Sequence, residues 1–392
     1  MPTTATMSGN TATAASNSGG TAAAPGSAKG QALPLVPFVR ASYQNRQATG
    51  IQKSAQLTTQ VQDQGNNDIP AYGYMRALVL VVAATGGSGT SVTAAEDGPF
   101  NVLQNIFLTE PNGAVIAQFN SGYDLFLANK WGGYRPQGNA DPRASAAYSG
   151  VSGTTGNFQF VLRIPVEINE RDALGSLPNQ NSASAFKLRF QYNNLASVYG
   201  TAPATTAPTV TTTVYLESWD QPSENSAGQN NQVVPPAMNT TQFWTPQVIN
   251  YNAGFQTLRL TRLGNWIRNL IFINRRNSGT RANGDADWPD PLSLFLDARP
   301  MDVLAKSVWK EQMAQRGLSG SPGSADAANG LDNGVYVYDF THDFDGALGH
   351  EPRNLWLGTL GSERLEIQGT FANAGTLTVL TNDVAIAGNV WS

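Results

Sequence analysis

The chain has 392 residues, 24 Lys and Arg against 28 Asp and Glu, a net charge of −4, 13% charged residues and no cysteine. Without cysteine there is no disulfide scaffold, no Cys-ligated zinc site and no thiol nucleophile. The slight negative charge argues against a polycationic nucleic-acid binder, and 39 Gly and 22 Pro in a low-charge chain exclude a coiled coil.

Residues 1–30 are built mostly from Ala, Thr, Ser, Gly and Asn, with Lys29 as the one charge. The first aromatic residue is Phe38. Such a segment buries too little apolar surface to offset chain entropy, so alone it is expected to be disordered: it reads as a solvated tail, with an arm that orders against a neighbouring subunit as the sharper alternative. No basic stretch followed by an apolar one marks it as a leader peptide.

From residue 34 onward the dominant period is two. Residues 75–82 and 266–273 read as strands buried on both faces, and 77–84 is the longest apolar run, far short of the roughly 20 residues that cross a bilayer. Leu162, Ile164, Val166 and Ile168 alternate with Arg163, Pro165 and Glu167. Phe186, Leu188, Phe190 and Tyr192 alternate with Lys187, Arg189 and Gln191, and Leu365 and Ile367 with Glu366 and Gln368. Alternation of this kind places one set of side chains on one sheet face. A short helical turn is expected at 169–174 with Asn169 as cap, and a helix at 300–316 opened by Pro300 and Asp302 and stopped by Gly317. The polar connections 136–157, 194–209, 274–290 and 317–334 are long enough to mark a decorated surface.

Four local patterns recur in the same order in both halves. Gly73, Arg76, Leu78 and Leu80 match Gly264, Arg268, Leu270 and Phe272 with one residue inserted. Phe107-Leu108 with Val115-Ile116 matches Phe295-Leu296 with Val303-Leu304. Leu174-Gly175-Ser176-Leu177 and Leu357-Gly358-Thr359-Leu360 each precede a strand, and a Thr-rich strand ends each half at 209–216 and 376–380. Repetition in order at nearly constant spacing indicates duplication of an all-β domain of jelly-roll size. The expected division is an arm at 1–35, a first jelly roll at 36–222, an Asn/Gln/Pro-rich linker at 223–248 and a second jelly roll at 249–392.

Chemistry-bearing motifs are sparse. His342 and His350, with Asp343 and Asp345, meet no calcium-loop or zinc spacing and read as a polar turn. Gly86-Gly87-Ser88-Gly89 lacks the third Gly of a dinucleotide motif and the Lys of a phosphate loop, and reads as a flexible turn. No Gly-x-Ser-x-Gly elbow occurs. Asp285, Asp287 and Asp290 cluster beside Trp288; paired carboxylates serve glycosidases only across a cleft, so this loop reads as solvated, with a calcium or subunit contact as the sharper alternative. Arg268, Arg275, Arg276 and Arg281 form a basic patch, expected to pair with Asp or Glu within the chain or across a subunit boundary. No catalytic, cofactor or metal residue is assigned, and no enzyme activity is expected.

Together these features resemble the double jelly-roll major capsid proteins of icosahedral double-stranded DNA viruses with an internal membrane, most of all tectivirus-type bacteriophage coat proteins. The resemblance rests on Ile69-Pro70 and Gly73 to Arg76 leading into the strand at 78–82, and on 161–168 followed by Glu170, Arg171, Asp172, Leu174, Gly175, Leu177, Pro178 and Asn179. The strand end at Tyr215 and Trp219, and the second-half segments 268–273 and 295–309, add to it. It implies an all-β fold of two consecutive eight-stranded antiparallel jelly rolls with long loops and few short helices. It also implies homotrimeric pseudo-hexagonal capsomers in the outer virion shell, with neighbouring capsomers, penton and minor capsid proteins as partners, an internal membrane close by, and no direct contact with nucleic acid. The arm lacks the apolar stripe of a membrane-facing helix, so a role between capsomers suits it better. A phage fibre or receptor-binding protein, and a carbohydrate-binding sandwich, are the alternatives; short repeats would mark the first and an aromatic-lined cleft the second.

Overall fold

A computed structural model describes residues 36–132, 141–168, 170, 173–221, 232–234, 241–281, 284–315, 332–340 and 356–385. The arm and the turn carrying His342 and His350 lie outside the described residues.

The first half supplies β1 (Gln44–Gln56), β2 (Gln62–Asp68), β3 (Tyr74–Thr85), β4 (Leu103–Thr109), β5 (Val115–Ser121), β6 (Phe158–Pro165), β7 (Lys187–Tyr192) and β8 (Thr209–Trp219). They pair as two antiparallel sheets in the orders β1-β8-β3-β6 and β2-β7-β4-β5. The second half supplies β9 (Thr241–Tyr251), β10 (Gly254–Leu260), β11 (Trp266–Arg276), β12 (Leu292–Leu296), β13 (Arg299–Leu304), β14 (Val335–Asp339), β15 (Leu365–Phe371) and β16 (Gly375–Ala385). Its orders are β9-β16-β11-β14 and β10-β15-β12-β13, so every strand of the first half has its counterpart eight strands later. This double crossing of two four-stranded sheets is the jelly roll, and it occurs twice.

The four sequence repeats fall on equivalent elements: β3 with β11, the β4–β5 hairpin with β12–β13, and β8 with β16. The Leu-Gly repeat forms the same short bridge in each half, Leu177–Pro178 onto β3 and Leu357–Gly358 onto β11. Each fifth strand also leads directly into a helix, α1 (Gly122–Trp131) after β5 and α2 (Lys306–Gln315) after β13.

Each roll fills its sandwich with alternating side chains. Phe100, Phe126 and Phe160 cluster in the first, with Phe100 stacked on Phe126 at 4.4 Å. In the second, Trp288 stacks on Tyr336 at 4.1 Å, with Phe272 and Trp309 packed edge-on. At one end of the first roll Phe38 meets Tyr74 and Trp219 edge-on.

Several boundaries differ from the sequence expectation. The helix expected at 300–316 is two elements: Arg299–Leu304 is strand β13, because it pairs with β12, and the helix starts at Lys306. The interval 223–248, expected as linker, contains a short strand at Gln232–Val234 and the start of β9 at Thr241, where Gln242 and Trp244 are already buried. Strand β6 ends at Pro165 rather than running to Ile168. Of the helical turn expected at 169–174, Asn169, Arg171 and Asp172 lie outside the described residues; Ala173 has φ of 57°, and the Ile168 amide donates to the Leu174 carbonyl. Residues 266–273 are buried on both faces almost throughout, whereas β3 beyond Leu78 alternates, with Val79, Val81 and Ala83 only half-buried.

Gly73 opens β3 with φ of +52°, and a Cβ there would lie 2.0 Å from the Trp219 carbonyl oxygen. Gly73→Ala should therefore destabilise the protein by about 2–3 kcal/mol, combining the left-handed backbone penalty with the clash. Urea unfolding measures this as a lower midpoint at unchanged slope; an unchanged midpoint would contradict the close approach.

Candidate assembly interface

The densest polar chemistry lies where the two rolls meet. Three kinds of contact join them. The first is apolar: β9 places Trp244 against Phe119 of β5, ring centroids 5.9 Å apart, beside a single parallel bridge between Trp244 and Ala117. On the same side, α1 lies against β11. Ile271, Ile273, Val335, Val337 and Leu380 of the second roll belong to the same buried cluster as Leu125, Leu127 and Trp131 of α1.

The second kind is ionic. Asp97, in the connection before β4, receives Arg275 and Arg281 of the second roll, each at 2.7 Å. The Arg281 amide donates to Glu96 at 2.6 Å, and its guanidinium lies 4.2 Å from the Tyr123 ring centroid. Lys130, on the last turn of α1, sits 2.9 Å from Asp332 of the second roll and 3.2 Å from Asp141. Arg143 completes this group at 2.7 Å from Asp141 and 3.4 Å from Asp332. Lys130, Asp141 and Asp332 have fully buried side chains. The third kind is a hydrogen-bonded tie: the Gln242 side-chain amide donates to the Val166 and Glu167 carbonyls at 3.1 Å.

These contacts divide the energetics. Apolar burial supplies the stabilisation, at about 25 cal/mol per Å² removed from water. Buried ion pairs contribute little net stability, because desolvation offsets their attraction, but stranding one partner costs about 3–5 kcal/mol. Any slip between the rolls would strand Asp97, Arg281, Lys130 or Asp332, so the charges fix the register.

The carboxylates respond to this setting. Burial pushes Asp97 up, but Arg275 and Arg281 hold it below the ordinary range. Burial likewise pushes Asp141 up, and Arg143 and Lys130 bring it below. Asp124, on the first turn of α1, is raised to about 6 by complete burial, with Arg275 opposing. Its carboxylate accepts from the Ser121 amide while the Ser121 hydroxyl accepts from the Asp124 amide, a reciprocal cap on the helix.

The equivalent strands β3 and β11 repeat one further motif. Arg76 of β3 pairs with Glu167 at 2.7 Å and also with Glu170, and lies 4.7 Å from the Trp219 ring centroid. Its counterpart Arg268 of β11 donates to Gln242 and Asn382 and lies 5.9 Å from the Trp356 ring.

The sequence-predicted residues are distributed accordingly. Arg275 and Arg281 join the rolls, Arg276 pairs with Asp287 at 2.7 Å, and Arg268 is held as above; the patch is thus spent on partners within the chain. Of the acidic cluster, Asp287 is buried, Asp285 is half-buried and Asp290 is exposed. Asp287 is 1% exposed and holds Arg276 and Asn373; Asp285 accepts from the Tyr336 hydroxyl and the Gly334 amide; Asp290 accepts from the Lys306 amide. Nor is the Gly86–Gly89 turn free: a Cβ on Gly87 would lie 2.1 Å from the Thr155 carbonyl oxygen, and Ser88 pairs with Thr206. His342, His350, Asp343 and Asp345 lie outside the described residues. Among the described residues no three His, Cys, Asp or Glu side chains gather as a metal site. Sequence reading missed α1 and its cap, although Ser121-x-x-Asp124 before an apolar run was a legible signal.

Lowering the pH from 7 to 5 protonates Asp124 in the folded protein while an unfolded Asp, with a pKa near 3.9, stays ionised. Folded protein then binds the extra proton, so this group makes the protein more stable on acidification, by roughly 1–1.5 kcal/mol between pH 7 and 5 and by about 3 kcal/mol once the pH falls below the unfolded value. Asp97 and Asp141 oppose this only nearer and below their unfolded value. Asp124→Asn should flatten the rise in melting temperature between pH 7 and 5; an identical pH profile in the variant would refute the assignment.

No family model and no curated protein matches the sequence. Solved structures do match in fold. The major capsid protein P2 from Bacteriophage PM2 superposes with a TM-score of 0.54 at 11% identity, covering 89% of this chain and 99% of that one. The PBCV-1 virus capsid gives 0.53 at 13% identity over 87% and 94%, and the STIV MCP 0.51 at 13% over 86% and 97%. Identity at this level speaks for the backbone alone, and the backbone these proteins share with the chain is the double jelly roll.

Proposed function

We propose that the chain is a major capsid protein. Three copies form a pseudo-hexagonal capsomer of six jelly rolls, and capsomers tile the outer shell of an icosahedral virion around an internal membrane and double-stranded DNA. The observation that carries this reading is the duplication itself: two like sandwiches locked by a buried seam into one body, a fold matched over nearly its full length by capsid proteins. A rigid pair of equivalent modules is a unit that tiles by repeated symmetric contacts rather than one that turns over a substrate. Low charge suits a shell whose surfaces meet copies of themselves.

In this reading residues 1–35 form an arm that reaches neighbouring capsomers, followed by the two rolls and their connection. Penton and minor capsid proteins are the further partners, and the membrane lies nearby without being spanned by any described helix.

Light scattering of the purified protein should give three chain masses across micromolar concentrations, and negative-stain images of assembled material should show hexagonal tiles or shells. A monomer at all concentrations would overturn the capsomer. Deleting residues 1–30 should leave the three-chain mass intact and lower shell yield; an unchanged yield would remove the arm from assembly.

A further inference from the structure

Near the end of α1 the Lys130 side chain is fully buried, and its ammonium faces two carboxylates. Nζ lies 2.9 Å from Oδ2 of Asp332 and 3.2 Å from Oδ2 of Asp141, and both of those side chains are fully buried as well. The rings of Phe126 and Trp131 stand beside the group, their centroids 5.8 and 5.3 Å from Nζ. An amine, a carboxyl group within its reach and a second carboxylate able to move protons, all shut off from water, are the parts of an amide condensation.

The chain holds each part in place. Asp141 caps the short turn Pro142–Ala144, its Oδ1 accepting from the Arg143 amide at 2.9 Å. The Asp332 carbonyl accepts from the Val335 amide at 3.3 Å and from Lys310 Nζ at 3.1 Å. The two oxygens of the Asp332 carboxylate face different groups: Oδ2 faces Lys130, while Oδ1 lies 3.4 Å from the Arg143 guanidinium. Arg143 also lies 2.7 Å from Asp141.

We propose that Lys130 and Asp332 are joined by an amide bond that forms within the folded chain, with Asp141 as the catalytic carboxylate. Asp141 takes one proton from the Lys130 ammonium and passes it to Oδ2 of Asp332. The neutral amine then attacks Cγ of Asp332. As the N–C bond forms, an electron pair moves onto Oδ1, where the Arg143 guanidinium stabilises it. Asp141 takes a second proton from Nζ and delivers it to Oδ2. The Cγ–Oδ2 bond breaks, the carbonyl re-forms and one water leaves. Ammonium and carboxylate thus become amide and water, and Asp141 ends as it began. Two buried charges vanish in the step, while Arg143 and Asp141 remain as a matched pair, so nothing is left stranded. Lys310 and Asp285 also approach to 3.2 Å, but their side chains are partly exposed, so that pair stays ionic. The bond ties residues 202 positions apart, one from each roll, and being internal to one chain it does not depend on the capsid reading.

Intact-mass spectrometry of the denatured protein should give a mass one water below that of its sequence. A tryptic digest should contain a branched peptide linking Lys130 to Asp332, with no cleavage after Lys130. Lys130→Arg keeps a positive charge between the carboxylates but cannot form the bond; it should show the full sequence mass and a lower melting temperature. Asp141→Asn keeps both joined residues, and its folded fraction, identified by a cooperative melt, should also show the full mass. A branched peptide at the parent's level in that variant would remove Asp141 from the reaction. The parent protein at full sequence mass, with trypsin cutting after Lys130, overturns the proposal whatever the variants do. So does a lost water that maps to a linear peptide, as a succinimide gives.

Discussion

The structure depends on how the open flank of a sandwich is closed. An antiparallel sandwich buries its inner faces but leaves its outer faces and edges to be dealt with, since unpaired edges and apolar outer faces invite association. The first roll meets this need with α1, placed directly after β5 by the reciprocal Ser121–Asp124 cap. The second roll then lays its outer sheet on that helix, and Trp244 covers the edge of β5. Burial of Ile271, Ile273, Val335, Val337 and Leu380 follows from this one placement, and with it the joining of two domains into a single body.

Charge serves a different purpose at the same seam. Lys130, Asp141, Arg143 and Asp332 form a closed group, and Glu96, Asp97, Arg275 and Arg281 a second one. Apolar surfaces alone tolerate sliding, because the hydrophobic effect has no direction. Two separate ionic groups with buried members do not, because any displacement leaves an unpaired charge in a poorly solvated site. Asp124, on the helix that fills this seam, is raised to about 6 by its burial, so its protonation favours the folded state as the pH drops toward 5.

Much of the architecture was legible in the sequence because strand alternation and duplication are local patterns. The match of Gly73–Arg76 with Gly264–Arg268 marks the same strand in each roll, and both arginines do lie over a tryptophan. What could not be read was contact at long range. Pro300 and Asp302 looked like a helix start, but cross-strand pairing with Phe295 and Leu294 makes them part of a strand. Asp285 and Asp287 looked solvated because their partners, Tyr336, Arg276 and Asn373, come from other strands and turns. Arg275, Arg276 and Arg281 of the basic patch do pair with Asp, while Arg268 donates to Gln242 and Asn382; Asp97, the partner of Arg275 and Arg281, lies in the other roll and had no local signal.

A duplicated domain drifts where its two copies meet different surroundings, and the sheet positions record that drift. Ile273 corresponds to Val81, Leu380 to Tyr215 and Val337 to Arg163, while Thr378 and Thr213 are unchanged. The larger apolar residues sit where the cover is permanent, inside the chain. Smaller or more polar ones sit where the face is open in the single chain. Retention of Val79, Val81, Ala83 and Val161 at half-exposed positions is what a surface requires if it must remain soluble alone and still bind a partner.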